Sequence, residues 1–332
     1  MIWSFSAARI FRQCQRQWYF KASLASARAK DPLRHEAYIL SKLQSVSSWR
    51  GSLVDRLISR EIVGSIARRE TITKAQLLRR AKLLFDRQLE AALRHSLRNS
   101  GAEARDEEVA FRSVEYGQAP SAEELATAWA EVETALSNLF EMDQVRGAIK
   151  AARHLIAQRP LQFEFAGAKV RAVPDIIAFG EEELPPLIID WKVHHFGTRD
   201  YRLQLALYAL ALTRCAPHRD FPMMPSVYSP TAIRLFEAQL LTGVEHQYEL
   251  TPIDIEELED YIAETAREMR LALKAEDGRD LHVTDFPVTT YPELCQRCPF
   301  MNLCWEQYDG RPRDKRLSDY EPPRTLFALP AR

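Results

Sequence analysis

The sequence predicts an α/β chain: a mixed sheet flanked by helices, preceded by a mostly helical N-terminal region. Three observations predict it. Short apolar runs bounded by Gly and Pro crowd residues 161–193, which include LQFEFAG, KVRAVPDIIAFG and LPPLIIDWKV. The run YRLQLALYALAL at 201–212 then has the Ala and Leu content of a buried helix. Upstream, apolar residues recur mainly at helical spacing.

Taken in order, residues 1–25 predict an amphipathic helix after the capping candidates Ser4 and Ser6, carrying Cys14 and the aromatic cluster Trp18-Tyr19-Phe20. Residues 49–62 predict a second helix with Gly51 and Asp55. A third spans 73–97, within a segment (65–100) that holds nine Lys or Arg against three Asp or Glu and could face an anionic partner. Residues 101–120, with Gly, acidic residues and Pro, read as a connection, and 121–157 return to helical periodicity. Two paired strands, a third strand and the helix at 201–212 follow. Strand signals recur at 232–241 and 245–250, and a helix opens after Thr251-Pro252 and runs to about residue 274. The tail after Trp305 shows scattered Pro and charge without periodicity. Four segments result: a helical segment 1–50 with the first cysteine, a helical region 51–157, an α/β core 158–275, and a cysteine-containing segment with its tail at 276–332.

Composition bounds the class. The 332 residues are 46% hydrophobic and 27% charged, typical of a globular chain with a substantial core, and the length suits two domains or one with a large insertion. A net charge of −1 leaves nucleic-acid binding to be judged from local surfaces. No run approaches membrane-spanning length, and Arg9 and Arg12 interrupt the N-terminus before any signal-like apolar stretch, so the expectation is a cytoplasmic protein without a membrane partner. Five cysteines are too few for a secreted disulfide scaffold; grouped cysteines in a reducing compartment bind metal or do chemistry.

Charge at the strand ends needs a reason. Asp190 and Lys192 stand two apart on one strand and share a face, and Asp175 joins them if its strand is a neighbour. Two carboxylates beside one lysine resist burial unless a divalent cation such as Mg²⁺ or Mn²⁺ completes the charge balance. Such a site suits phosphodiester hydrolysis, with Lys192 orienting or deprotonating the nucleophile. An isolated Asp-x-Lys, by contrast, reads as an exposed ion pair. Gln204 and Tyr208, four apart, share a helical face. Cys295, Cys298 and Cys304 supply three thiolates from one short loop, and ligand type alone permits zinc or iron-sulfur. Cys215 reads as a small apolar filler.

Pro174-Asp175, fourteen residues, then Asp190-Trp191-Lys192 resembles the signature of the PD-(D/E)XK nuclease superfamily. Gln204-Leu205-Ala206-Leu207-Tyr208 resembles the Gln-x-x-x-Tyr element of its RecB-like branch, whose Gln and Tyr help hold DNA and the lysine. The segment around Cys14 (Gln13-Cys14-Gln15-Arg16-Gln17-Trp18-Tyr19-Phe20) resembles the first-cysteine segment of RecB-like nucleases that close a 4Fe-4S cluster with a C-terminal Cys triplet, as AddB-type subunits and CRISPR-adaptation exonucleases do. The resemblance implies a restriction-endonuclease-like mixed sheet flanked by helices, with Asp175 and Asp190 as ligands of Mg²⁺ or Mn²⁺, Lys192 catalytic and Gln204 and Tyr208 supporting. It also implies a 4Fe-4S cluster on Cys14, Cys295, Cys298 and Cys304 that clamps the chain ends, zinc being the alternative. Gly51-Ser52-Leu53-Val54-Asp55 departs from the branch's Gly-x-x-x-His, so Asp55 is a substitute metal ligand or an ordinary helix residue. After Lys192 the family's Thr-Gly is replaced by Val193-His194-His195-Phe196-Gly197, and Glu164 ranks as a lesser acidic candidate.

The function so implied is a Mg²⁺- or Mn²⁺-dependent deoxyribonuclease, an exonuclease on single-stranded or unwound DNA that leaves 5′-phosphate and 3′-hydroxyl ends, in DNA repair, recombination or anti-phage defence. The alternative is a weakly active or silent DNA-binding iron-sulfur subunit acting with a helicase or a defence complex. RNA is a further candidate substrate, because the same metal chemistry acts on either backbone.

Overall fold

A computed structural model of the chain describes residues 1–94, 109–181, 184–193, 200–223, 225–274 and 280–309. In chain order its elements begin with β1 (Ile2–Trp3), α1 (Phe5–Gln13) and α2 (Gln15–Tyr19), which runs into a π-turn at Phe20–Leu24. Helices α3 (Pro32–Ser41) and α4 (Val46–Leu57) follow, the latter continuing as a π-turn at Ile58–Val63. Next come α5 (Gly64–Ala67), α6 (Lys74–Leu93), α7 (Arg112–Glu115), α8 (Ala122–Leu139) and α9 (Asp143–Ala151). The strands β2 (His154–Ala157), β3 (Leu161–Phe165), β4 (Ala168–Ala172), β5 (Ile176–Phe179) and β6 (Leu187–Lys192) precede α10 (Asp200–Arg214). The described chain closes with β7 (Arg234–Gln239), β8 (Val244–Tyr248), α11 (Pro252–Ala272), α12 (Pro292–Gln296) and α13 (Met301–Asp309).

The N-terminal helix divides where the sequence predicts one. Cys14 is extended (φ −161°, ψ 107°), and its sulfur accepts the Gln17 N–H, so it caps α2 instead of continuing α1. The helical reading of 121–157 also stops early, because β2 pairs antiparallel with β5. The stretch KVRAVPDIIAFG, expected as one strand paired with LQFEFAG, is instead two strands, β4 and β5, and they lie in different sheets. Pro174 has no N–H for a ladder, so β4 ends before it and β5 begins after it.

Two sheets form among the described residues: β1-β4-β3 and β2-β5-β6-β7-β8. Pairing β6 with β7 in parallel requires a crossover, which contains α10, and that helix packs on β3, β4 and β6. Every residue of β6 is buried, which explains its near-continuous apolar run. The fold is a mixed α/β architecture with helices flanking mixed sheets, as predicted.

The chain divides into two compact units. One comprises Met1–Phe5, Arg50–Phe85 and Ala126–Arg267 and holds both sheets. There Trp3 is fully buried, and its indole N–H donates to Thr265 Oγ1 at 2.9 Å. The other comprises Ser6–Trp49, Asp86–Leu125 and Glu268–Arg332. Its core joins early and late segments: Tyr19 stacks on Phe286 at 3.9 Å, Phe20 on Phe300 at 5.3 Å, and the Tyr116 hydroxyl donates to the Pro299 carbonyl at 2.9 Å. No helix among the described residues is long and apolar enough to cross a membrane.

Candidate active site

Asp190 and Lys192 sit near the C-terminal end of β6, side chains on one face, 2% and 9% exposed, and they form an ion pair through Lys192 Nζ and Asp190 Oδ2. Asp175 enters from the residue before β5, which pairs antiparallel with β6. Its Oδ2 accepts the Trp191 N–H at 2.8 Å, and its carboxyl hydrogen-bonds that of Asp190. Helix α4 brings Asp55. The Gln158 amide then joins two acids: Nε2 donates to Asp55 Oδ1 at 2.8 Å and to Asp175 Oδ1 at 2.9 Å.

Helix α10 supplies the remainder. Lys192 Nζ donates to Gln204 Oε1 at 3.3 Å and lies 4.6 Å from the centre of the Tyr201 ring. Gln204 Nε2 donates to the Tyr208 hydroxyl at 2.5 Å, and that hydroxyl in turn bonds Asp190. The lysine ammonium is thus enclosed by a carboxylate, an amide oxygen and an aromatic face.

Burial, more than anything else, raises the proton affinity of all three carboxyls. Asp175 is pushed well above the ordinary carboxylate range by burial first, then by the charges of Asp190 and Asp55, with the Trp191 N–H and Lys192 opposing. Burial also leads in raising Asp55 to about 6, against the Gln158 hydrogen bond and with a contribution from Asp190. Asp190 rises for the same reason, with Lys192 opposing and Glu237 adding to it. The Tyr208 phenol moves well up, by burial and then by the charges of Asp190 and Asp175.

Asp55, Asp175, Asp190, Lys192, Gln204 and Tyr208 therefore come together from four parts of the chain. Gln158 and Glu237 were not singled out in the sequence. Glu237 is 2% exposed and lies directly beside Asp190 in the parallel β6–β7 register; its oxygens accept from the Gln239 amide and, at 2.5 Å, from the Tyr248 hydroxyl. The signal was there: an acid inside an apolar strand (LFEAQ) in the same pattern as IIDWK. Gln158 offers no such signal, since a polar residue after a short strand is unremarkable. Arg50, also missed, is 7% exposed, pairs with Glu131 and donates to the Val193 carbonyl just beyond Lys192. A Cβ on Gly51 would meet nothing within 4 Å, so packing among the described residues does not demand glycine there.

Other candidates lie elsewhere. Glu164 is exposed on β3 opposite Lys169, in the three-stranded sheet. His194 and His195 fall outside the described residues. The rings of Trp3, Trp18, Tyr19 and Trp49 are buried packing residues of their own units and offer no open face to a base. In the basic segment, Arg68, Lys74, Arg80 and Arg94 pair with Glu70, Glu141, Glu61 and Glu90, and Lys82 lies over the rings of Phe85 and Trp129, so much of its charge is balanced locally.

In the second unit Cys14, Cys295, Cys298 and Cys304 line one cavity whose walls include Phe20, Val288, Leu294, Phe300, Met301 and Trp305. Burial, reinforced by the neighbouring sulfurs, pushes the Cys295 thiol up to about 12 and Cys298 well up; it also raises Cys304 to about 11, where Arg16 opposes, its guanidinium donating to Cys304 Sγ at 3.8 Å. Among the described residues, no group of three or more His, Cys, Asp or Glu side chains is gathered so that it could hold a metal ion. Neither expected metal set, the carboxyls of one unit or the cysteines of the other, therefore forms a closed ligand shell among the described residues. Cys215 lies apart, its sulfur on the Leu212 carbonyl at 3.5 Å.

The sequence model of the PD-(D/E)XK nuclease superfamily matches residues 2–305. No curated protein sequence matches. Among solved structures, the chain is similar to SSO0001, at 11% identity and a TM-score of 0.29, over 66% of this chain and 93% of that one. It is also similar to a candidate exonuclease from Eubacterium rectale, at 12% identity and a TM-score of 0.30, over 76% of this chain and 94% of that one. At such scores the family match, and neither structure, decides kinship.

Proposed function

The chain belongs to the PD-(D/E)XK nuclease superfamily, and from that membership we propose a metal-dependent DNA nuclease, exonucleolytic on single-stranded or unwound DNA, that cuts at the Asp175, Asp190 and Lys192 cluster. The observation that carries the reading is the enclosed ammonium of Lys192, held by Asp190, Gln204 and the Tyr201 ring beside two further carboxyls. A lone exposed Asp-x-Lys ion pair has no such enclosure.

The donor set fits the group that the family uses. Buried carboxyl oxygens crowded against one another suit a hard divalent cation, Mg²⁺ or Mn²⁺, with Asp175, Asp190 and Asp55 as the residues that would hold it. Bound there, the cation supplies Lewis acidity at the phosphate and a lowered pKa for its water. Lys192 contributes fixed positive charge toward the developing negative charge on phosphate. Gln204 and Tyr208 fix the direction of the amine. Arg50 holds the strand end at Val193.

For the cysteines we infer a 4Fe-4S cluster. Four soft sulfur donors from the two ends of the chain line one largely apolar cavity, which fits a cluster or, in its place, zinc.

A second reading, a silent DNA-binding iron-sulfur subunit that serves a helicase or defence complex, is favoured by one observation: Asp55 stands where the RecB-like branch carries a metal-binding histidine. One experiment separates the two. Linear and circular single-stranded DNA are incubated with wild type and Lys192→Ala, with and without Mg²⁺ or Mn²⁺. Loss of linear DNA alone, only with metal and only by wild type, is the expected result, with 5′-phosphate ends on the products. Equal behaviour of the two proteins on every substrate would remove the enzyme and leave the subunit.

A further inference from the structure

Gln158 is the residue immediately after β2, and it holds a backbone conformation that side chains avoid, with φ +51°. No glycine stands there to relieve it. Its backbone N–H is bonded to the Asp175 carbonyl at 2.9 Å, which ties the turn to the entry of β5. In that conformation the side chain reaches two acids from distant segments, and one nitrogen, Nε2, lies 2.8 Å from Asp55 Oδ1 and 2.9 Å from Asp175 Oδ1. A strained residue whose side chain joins two functional carboxyls points from the outlier to a role.

We propose that Gln158 is the positioning residue for the metal-binding carboxyls: its amide holds Asp55 Oδ1 and Asp175 Oδ1 around one point, so that both acids face a shared divalent cation. The proposal rests on the nuclease reading above and adds to it a residue that touches neither substrate nor the reacting atoms. Two carboxyls left to themselves turn apart by repulsion, and an uncharged N–H₂ group is the one neutral side-chain donor that can serve both oxygens at once. A lysine there would neutralise the pair and compete with the cation. A glutamate would add repulsion. Partners of this kind govern metal affinity through the ligands they orient.

The test is Mn²⁺ binding, read as free Mn²⁺ by electron paramagnetic resonance, for wild type, Gln158→Met and Gln158→Gly. Methionine keeps the bulk of the side chain without the donor. Glycine accepts the positive φ and removes the amide, so it guards against loss by misfolding. Both variants are expected to weaken Mn²⁺ binding by about tenfold or more while melting within a few degrees of wild type. Wild-type affinity in Gln158→Met, whatever its melting temperature, would overturn the proposal and leave the nuclease reading standing. Absence of Mn²⁺ binding by wild type would instead overturn the site reading, and this inference with it.

Discussion

One hydroxyl at position 208 serves two partners: it accepts from the Gln204 amide at 2.5 Å and bonds the Asp190 carboxyl. Since Gln204 also accepts from Lys192 at 3.3 Å, the phenol fixes the amide that fixes the amine. Tyr208→Phe keeps the ring, which is 6% exposed and packed, and removes only the link. Loss of a hydrogen bond of about 1.4 kcal/mol in the transition state corresponds to about a tenfold fall in the single-turnover cleavage rate. An unchanged rate would show that Lys192 needs no such support. The sequence exposed this pair through its i, i+4 spacing. It could not expose Gln158, because the partner oxygens lie at residues 55 and 175 and no local pattern links them.

Among the elements, α11 shows how a start signal becomes stability. Thr251 and Asp254 form a reciprocal cap: the Thr251 N–H donates to Asp254 Oδ2 at 2.6 Å and the Asp254 N–H to Thr251 Oγ1 at 3.3 Å, with Pro252 in the first turn. Arg202 reaches the same carboxylate at 2.8 Å and, with the Thr251 donors, holds it below its ordinary value of 3.8. A depressed carboxyl stabilises the fold fully above 3.8, and that contribution disappears as pH falls from there through the folded-state value. The Arg202 side chain is 43% exposed, so solvent screens the ion pair and reduces what it adds to stability. Asp254→Asn is expected to cost about 1 kcal/mol near pH 7 and almost nothing once pH is below the folded-state value, as read from urea midpoints at the two pH values. A cost that is the same at both would place the stabilisation outside the carboxylate charge.

At the scale of the whole molecule, residues nearly three hundred positions apart meet in one core. The Arg16 guanidinium donates to the Phe286 carbonyl at 2.9 Å and its backbone N–H to the Pro287 carbonyl at 3.1 Å, which sets Cys14 beside the C-terminal triplet. If a cluster joins these segments, protein purified without oxygen should carry about four iron and four sulfide per chain. Cys298→Ser should then lose the visible absorbance and lower the melting temperature by several degrees, since metal binding is coupled to folding. Zinc without sulfide would replace the cluster by a four-thiolate zinc site.

What the sequence determined by itself is local: strand and helix periodicity, the Asp-x-Lys pair on one face, the Gln and Tyr one turn apart, the three late cysteines. Those features are repeats of two, four or a few residues, and the backbone geometry converts such spacings directly into shared faces. Only the tertiary structure decided which sheet each strand joined, that the helix at the N-terminus breaks at Cys14, and that Glu237 would stand beside Asp190. Pairing between distant strands is chosen by burial of whole faces, and that sum over the chain leaves no mark at any single position.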